Sequence, residues 1–175
     1  MRAERLDLRS ISVALAEAFL RGDREETAHL LGATAPAGWP DEQDAALLRL
    51  RAEQIRREPS SREWLVRALV LRAERRMIGH AGFHGPPGVN GPADPDAVEL
   101  GYTVFPEERG RGYATEAARA LVDWAAEAHG IRRFVASVAP GNEPSLAVVR
   151  KLGFVETGSQ WDDEDGLELV FELER

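Results

Sequence analysis

The sequence predicts an α/β fold of the mixed α+β kind, a single sheet with helices packed against it. Three observations carry that expectation. Segments with apolar residues at every second position alternate with segments of helical spacing, in the order β-α-α-α-β-β-β-α-β-α-β-β. A Pro/Gly-rich stretch, Gly85 to Asp96, separates two strand-like runs and can form no regular element. Between a strand that ends at a proline and a well-patterned helix lies "VFPEERGRGYATE", Val104 to Glu116.

Taken in order, Leu6 and Leu8 alternate with charged residues as a first strand requires. From Ser10 to Leu31, Ile11, Leu15, Ala18, Phe19, Leu30 and Leu31 suggest one or two helices, interrupted near Gly22-Asp23. "APAGWPDEQ" reads as a loop, and Asp41 is placed to cap a helix running to about Glu58. Trp64 to Arg72 and Met77 to His84 form a hairpin around a charged turn. Ala97 to Phe105 is the next strand, ended by Pro106, and Thr115 to His129 the next helix, stopped by Gly130. "RRFVASVAP" is a strand and "NEPSLAVVRKLGF" a short helix, with Asn142 as cap and Gly153 as stop. Phe154 to Trp161 and Leu167 to Leu173 are the last strands, joined by the acidic turn Asp162, Asp163, Glu164 and Asp165.

At 175 residues the chain is expected to form one domain, 1–175. It has no cysteine, so disulfides, thiolate metal sites and cysteine nucleophiles are excluded. No run approaches ~18 apolar residues and the first residues lack a signal-peptide core, so a cytoplasmic protein without a membrane partner is expected. A net charge of −8 argues against nucleic-acid binding, which needs a basic footprint. The acidic turn would attract a cation, though such turns are more often merely solvated.

The glycine stretch fits an anion site. A helix N-terminus carries unpaired N–H groups and a positive dipole end, and glycine lets those amides approach a phosphate. No lysine follows in the spacing of a P-loop. The dinucleotide fingerprint lacks its third glycine, since Thr115 stands there, and no acid ends the next strand to hold a ribose. What remains is Arg109, Gly112 and Ala114 in the spacing Arg-x-x-Gly-x-Ala.

That spacing resembles the coenzyme A loop of the GNAT acyltransferases. "VELGYTVFPEERGRGYATEAARALVDWA" is similar to the central strand, loop and helix of that superfamily, and "NEPSLAVVRKLGFVETG" to its Asn-x-x-Ser segment; with the strand between them and the two after them in the expected order, the resemblance covers roughly Trp64 to Leu173. The "ELGYTV" strand and the serine look most like the ribosomal-protein N-terminal, Rim-type, branch. The resemblance implies a mostly antiparallel sheet of six to seven strands, splayed at its centre. It also implies acetyl-CoA as cosubstrate, no metal, and transfer of acetyl to a primary amine by direct attack in a ternary complex.

By that resemblance, backbone groups of Thr103, Val104 and Phe105 hold the pantetheine arm. The amides of Arg109, Gly110, Arg111, Gly112, Tyr113, Ala114 and Thr115 take the pyrophosphate. Alternation puts Glu99 on one strand face with Gly101, Thr103 and Phe105. It is the candidate general base or substrate anchor, against the plain reading of a solvent-facing or salt-bridged strand glutamate. Four residues separate it from Thr103, about 13 Å, so a bridging water may be needed.

Many members carry a tyrosine on the short helix as the acid; here Val149 stands at that position. Ser145 is the candidate to contact or protonate the leaving thiolate, against a plain helix-start serine. Asn142 can cap the helix or bond the coenzyme arm. His80 and His84 are about 13 Å apart along one strand face, too far to share a metal. His84 is the better placed to line an acceptor pocket. Two rival readings remain open: an acyl-CoA-binding regulatory module without turnover, and a nicotinamide-dependent oxidoreductase. The sequence leaves the acceptor and a homodimer open.

Overall fold

The computed structural model describes residues 1–89, 96–163 and 166–175. Its elements are β1 (Leu6–Ser10), α1 (Val13–Arg21), α2 (Arg24–Leu31), α3 (Glu42–Arg57), β2 (Arg67–Leu71), β3 (Arg76–Phe83), β4 (Ala97–Val104), α4 (Tyr113–His129), β5 (Arg133–Val138), α5 (Glu143–Leu152), β6 (Val155–Asp162) and β7 (Gly166–Glu174). Short 3₁₀ turns at Pro59–Glu63 and Pro106–Glu108 precede β2 and α4. The element order is the one read from the sequence.

Local chemistry sets most boundaries. The N-terminal helical stretch divides where Gly22, at φ 68°, closes α1 and the Asp23 carboxylate accepts from the Glu26 amide to open α2. Asp41 caps α3 as expected, accepting from the Asp44 amide. One boundary moves inward: Trp64, expected in a strand, precedes β2. Its burial comes from ring contacts with Phe83 (5.9 Å) and Trp124 (5.2 Å) rather than from strand pairing. Another moves outward, because Gly112 rather than Thr115 marks the start of α4.

The sheet order is β1-β2-β3-β4-β5-β7-β6. Every neighbouring pair is antiparallel except β4 and β5. That parallel pair is short, matching only Ala97, Val98 and Glu99 with Arg133, Phe134 and Val135. Beyond Glu99 the two strands part. The sheet is therefore splayed at its centre, and a gap opens beside Leu100 to Val104.

Apolar cores lie on both faces. Against α4 and α5 pack Leu6, Leu8, Leu69, Ile78, Val98, Leu100, Leu121 and Phe134. The second core, under α1 and α3, gathers Ile11, Leu15, Phe19, Leu48, Val66, Val70 and Met77. With both faces covered, the central strands read as nearly continuous apolar runs, and all five residues of β2 are buried. At the far edge β6 is exposed along almost its whole length.

Candidate active site

The loop after β4 is built from its glycines outward. Gly110 (φ 76°) and Gly112 (φ 80°) both occupy the left-handed region that L side chains rarely adopt. A Cβ at Gly110 would meet nothing within 4 Å, so the requirement there is conformational rather than steric. Gly112 is the N-cap of α4 and supplies no side-chain bond. The other four α-helices are each capped by a side chain, from Ser12, Asp23, Asp41 and Asn142. The first main-chain bond of α4 runs from the Glu116 amide to the Gly112 carbonyl. The amides of Tyr113, Ala114 and Thr115 therefore precede the helical bonding pattern, at the positive end of a 17-residue helix.

Three ion pairs fix this loop. Arg109 Nε donates to the Val104 carbonyl at 2.9 Å, folding the loop back on the strand end. Glu108 is buried and meets Arg76 Nη1 at 2.6 Å and Arg111 Nη1 at 3.2 Å. Arg76 holds the Glu108 carboxyl below the usual carboxylate range against the opposing cost of its burial. Glu116 receives three donors from the start of β1: the Arg5 amide (2.6 Å), Arg5 Nε (2.7 Å) and the Leu6 amide (3.2 Å). Arg5 also donates to the Arg111 carbonyl at 3.0 Å and lies 4.4 Å from the Tyr113 ring centre. Arg109 and Arg111 are thus part of the loop's own framework.

Where β4 and β5 part, a cleft of about 960 Å³ opens, lined in part by Glu99, Gly101, Tyr102, Thr103, Ser137, Asn142 and Ser145. Four sequence-derived candidates, Glu99, Thr103, Asn142 and Ser145, share this cleft. Val104, Phe105 and Arg109 to Thr115 are not among its lining residues; Gly112 and Thr115 line a separate hollow between α4 and the N-terminal residues.

The register corrects the backbone assignment. The His84 amide donates to the Glu99 carbonyl (2.9 Å) and the Phe105 amide to the Ile78 carbonyl (2.9 Å). Odd-numbered positions of β4 therefore turn their backbone groups toward β3, and alternation turns Leu100, Tyr102 and Val104 toward the gap. Of Thr103, Val104 and Phe105, only Val104 faces it, and its carbonyl already accepts from Arg109.

Glu99 is not solvent-facing. Only 6% exposed, it accepts from Ser137 Oγ at 2.8 Å through Oε1. Its Oε2 lies 3.2 Å from His84 Nδ1. Ser137 Oγ in turn accepts from Gln160 Nε2 (3.1 Å), which also donates to Glu168 (3.2 Å). A polar chain thus crosses the cleft wall from β4 to β7.

At the other wall, Asn142 accepts from the Ser145 amide at 3.2 Å, which makes it the cap of α5. Tyr102 donates its hydroxyl to the Ser145 carbonyl at 3.3 Å, and burial pushes its phenol pKa up, keeping the proton on oxygen. Val149 is fully buried in the core beneath α5. The hydroxyls near this end of the cleft are those of Ser145 and Tyr102. Sequence reading missed Tyr102, Ser137, Gln160 and Glu168, none of which carries a local motif.

His80 is separate from this arrangement. Its Nε2 lies 2.8 Å from Asp44 Oδ1, and Trp39 Nε1 donates to Asp44 Oδ2 at 2.5 Å. The bond with His80 holds the Asp44 carboxyl below its ordinary range. Among the described residues no group of three His, Cys, Asp or Glu side chains could hold a metal. Of the acidic turn, Asp162 lines the cleft. Glu164 and Asp165 lie outside the described residues, as do residues 90–95 of the Gly85–Asp96 loop.

The splayed strand pair, the glycine loop and the uncapped helix are the features the sequence resemblance led one to expect. The chain belongs to the acetyltransferase (GNAT) domain family, whose model matches residues 5–155. It is therefore an acetyl-CoA-dependent acetyltransferase, with acetyl-CoA as cosubstrate. It is 25% identical over 155 residues to YjdG, an uncharacterised N-acetyltransferase of Bacillus subtilis (strain 168), covering 89% of each chain. Among solved structures it is similar to the acetyltransferase from Agrobacterium tumefaciens str. C58, with TM-score 0.67 and 24% identity over 100% of this chain and 94% of that one. The ribosomal-protein-S5-alanine acetyltransferase from Vibrio fischeri shares the fold at TM-score 0.66 and 20% identity, covering 99% of this chain and 95% of that one.

Proposed function

We propose that the chain, acting as one domain over residues 1–175, moves an acetyl group from acetyl-CoA to a primary amine, a protein N-terminus or a small amine. Attack is direct, in a ternary complex. The observation that carries this reading is the buried Glu99 carboxylate on the wall of a cleft that opens where β4 and β5 part.

In this reading the arm of the coenzyme lies in the gap as an added strand, beside the backbone of Tyr102 and Val104. The amides from Gly110 to Thr115 bind the pyrophosphate, helped by the positive end of α4. The thioester carbonyl then sits near Thr103 and Val104. Binding both partners in one cleft removes most of the entropy cost of their encounter. Glu99 serves as general base or as the anchor for the acceptor's ammonium group. Ser145 or the protonated Tyr102 hydroxyl donates toward the leaving thiolate.

The fold shared with the ribosomal-protein-S5-alanine acetyltransferase and the "ELGYTV" strand support a peptide N-terminus as acceptor. The small-amine reading stands beside it, since the cleft wall carries Glu99, Asp162 and Glu168. The test is thiol release from acetyl-CoA against a panel of amines and N-terminal peptides. Release with at least one amine is expected. Thermal stabilisation by acetyl-CoA with no release against any amine would replace the proposal with a regulatory acyl-CoA-binding module.

A further inference from the structure

From the geometry around Glu99 we infer that His84 Nε2 is the atom that takes the proton from the acceptor amine, with Glu99 orienting the ring. The inference rests on the amine-acetylation reading above.

The main chain of His84 is pinned from two sides. Its amide donates to the Glu99 carbonyl at 2.9 Å, and its carbonyl accepts from Arg51 Nη1 of α3 at 2.7 Å. The ring then has one place to go. Nδ1 lies 3.2 Å from Glu99 Oε2, and Nε2 lies over Gly101, where an added Cβ would approach to 2.9 Å. Glycine at 101 is what lets the imidazole lie across this part of β4. Glu99 is held on its other oxygen by Ser137. With Nδ1 facing a carboxylate fixed in this way, the neutral ring carries its proton there, and Nε2, over Gly101 on the cleft wall, is the basic nitrogen.

Exposure and reach favour the imidazole over the carboxylate. The side chain of His84 is 39% exposed and that of Glu99 8%. Both line the cleft, but Glu99 lies about 13 Å along the strand from Thr103, too far for direct transfer from an amine attacking there. Gly101 is two residues from Thr103, about 7 Å, and the ring over it closes most of that gap. Among the described residues, the groups facing His84 are Glu99 from β4, Arg51 and the neutral Gln43 from α3, and Asp162 and Glu168 across the cleft.

The step balances as follows. The ammonium form of the acceptor gives one proton to Nε2, and Glu99 stabilises the imidazolium. The amine nitrogen attacks the thioester carbon, forming the C–N bond and moving an electron pair onto oxygen. The carbonyl re-forms as the C–S bond breaks, and the second amine proton ends on the coenzyme sulfur. The proton on Nε2 leaves to water through the exposed ring edge.

The experiment uses the full chain with an amine that the panel finds, comparing His84→Ala, His84→Gln and Glu99→Gln. For His84→Ala we expect kcat to fall on the order of 100-fold or more, with the acetyl-CoA Kd within about twofold. The acid limb of the kcat/KM–pH profile should disappear in both His84 variants, and added imidazole should restore part of the His84→Ala rate. Retention of near-normal kcat and of the acid limb in His84→Ala, with both lost in Glu99→Gln, would make Glu99 the base and overturn the inference. Recovery of full rate by His84→Gln, which keeps much of the bulk but cannot accept a proton at neutral pH, would reduce His84 to packing and also overturn it. A wild-type chain that binds acetyl-CoA without acetylating any amine would instead defeat the underlying reading, and the inference with it.

Discussion

Helices α4 and α5 both begin at the splayed centre of the sheet, and their first turns are built oppositely. At α5 the Asn142 side chain accepts from the Ser145 amide, and the helix start is satisfied from within. At α4 the cap is Gly112 with φ 80° and no side chain, so the first-turn amides lack such a partner. A closed helix start can present only its side chains, here Ser145, to the cleft. An open one presents its backbone, and backbone amides at a positive helix end suit an anion of several phosphate oxygens. Under the proposed function, the splayed centre offers one helix to the diphosphate and the other to the thioester end.

Changing Gly112 should break this contrast most severely. Gly112→Glu adds a carboxylate at the amides and forces an L residue into the left-handed region. Acetyl-CoA affinity by calorimetry is expected to fall more than about 100-fold. The strain costs only about 1–2 kcal/mol in thermal unfolding, because a Cβ there meets nothing closer than Arg5 Nη2 at 3.6 Å. Equal loss of stability and affinity would refute the division.

Arg5→Ala tests how the open turn is held. Losing the Arg5 guanidinium leaves Glu116 with main-chain donors and frees the Arg111 carbonyl. The expected result is an approximately tenfold higher KM for acetyl-CoA with little change in kcat, a size set by one or two lost charge-assisted bonds. Arg5→Lys should recover part of it. Acetyl-pantetheine, which lacks the diphosphate, should be used equally well by both chains; a parallel loss with it would mean the clamp acts elsewhere.

Asn142→Ala should cost about 1 kcal/mol of stability, the ordinary worth of a cap, and leave the acetyl-CoA Kd within a few-fold. A loss of affinity as large as that from Gly112→Glu would show that Asn142 bonds the coenzyme directly.

The smallest effect is on acid stability. The Glu108 carboxyl is held low by Arg76, so its folded-state pKa lies below its unfolded one. Its contribution is fully present above the unfolded value of about 4.3 and is lost as pH falls through the folded value. Glu108→Gln should therefore lower stability at neutral pH and flatten the stability–pH curve below about pH 4, where the two chains converge.

Much of the glycine loop and of the helix starts was legible because their requirements are local. Gly110 and Gly112 are written into the chain as residues that tolerate positive φ, and Asp41 and Asn142 as residues that cap helices. Alternation alone put Glu99 and Gly101 on one face. The backbone assignment to Thr103 and Phe105 went astray because which edge a residue presents depends on pairing with β3, and no periodicity encodes that. Tyr102 packs partly against the core, yet its hydroxyl reaches α5, a contact no local pattern announces.

The sequence by itself determined the element order, the helix caps, the glycine loop and, through its resemblance, the family. Each depends on residues within a turn or two of one another. Only the tertiary structure decided that Glu99 meets Ser137 and His84, that Arg5 meets Glu116, and that β4 and β5 part after Glu99. Arg5 and Glu116 stand 111 positions apart in the chain. Such partnerships follow from how strands register and helices pack over the whole molecule, which no short stretch of sequence contains.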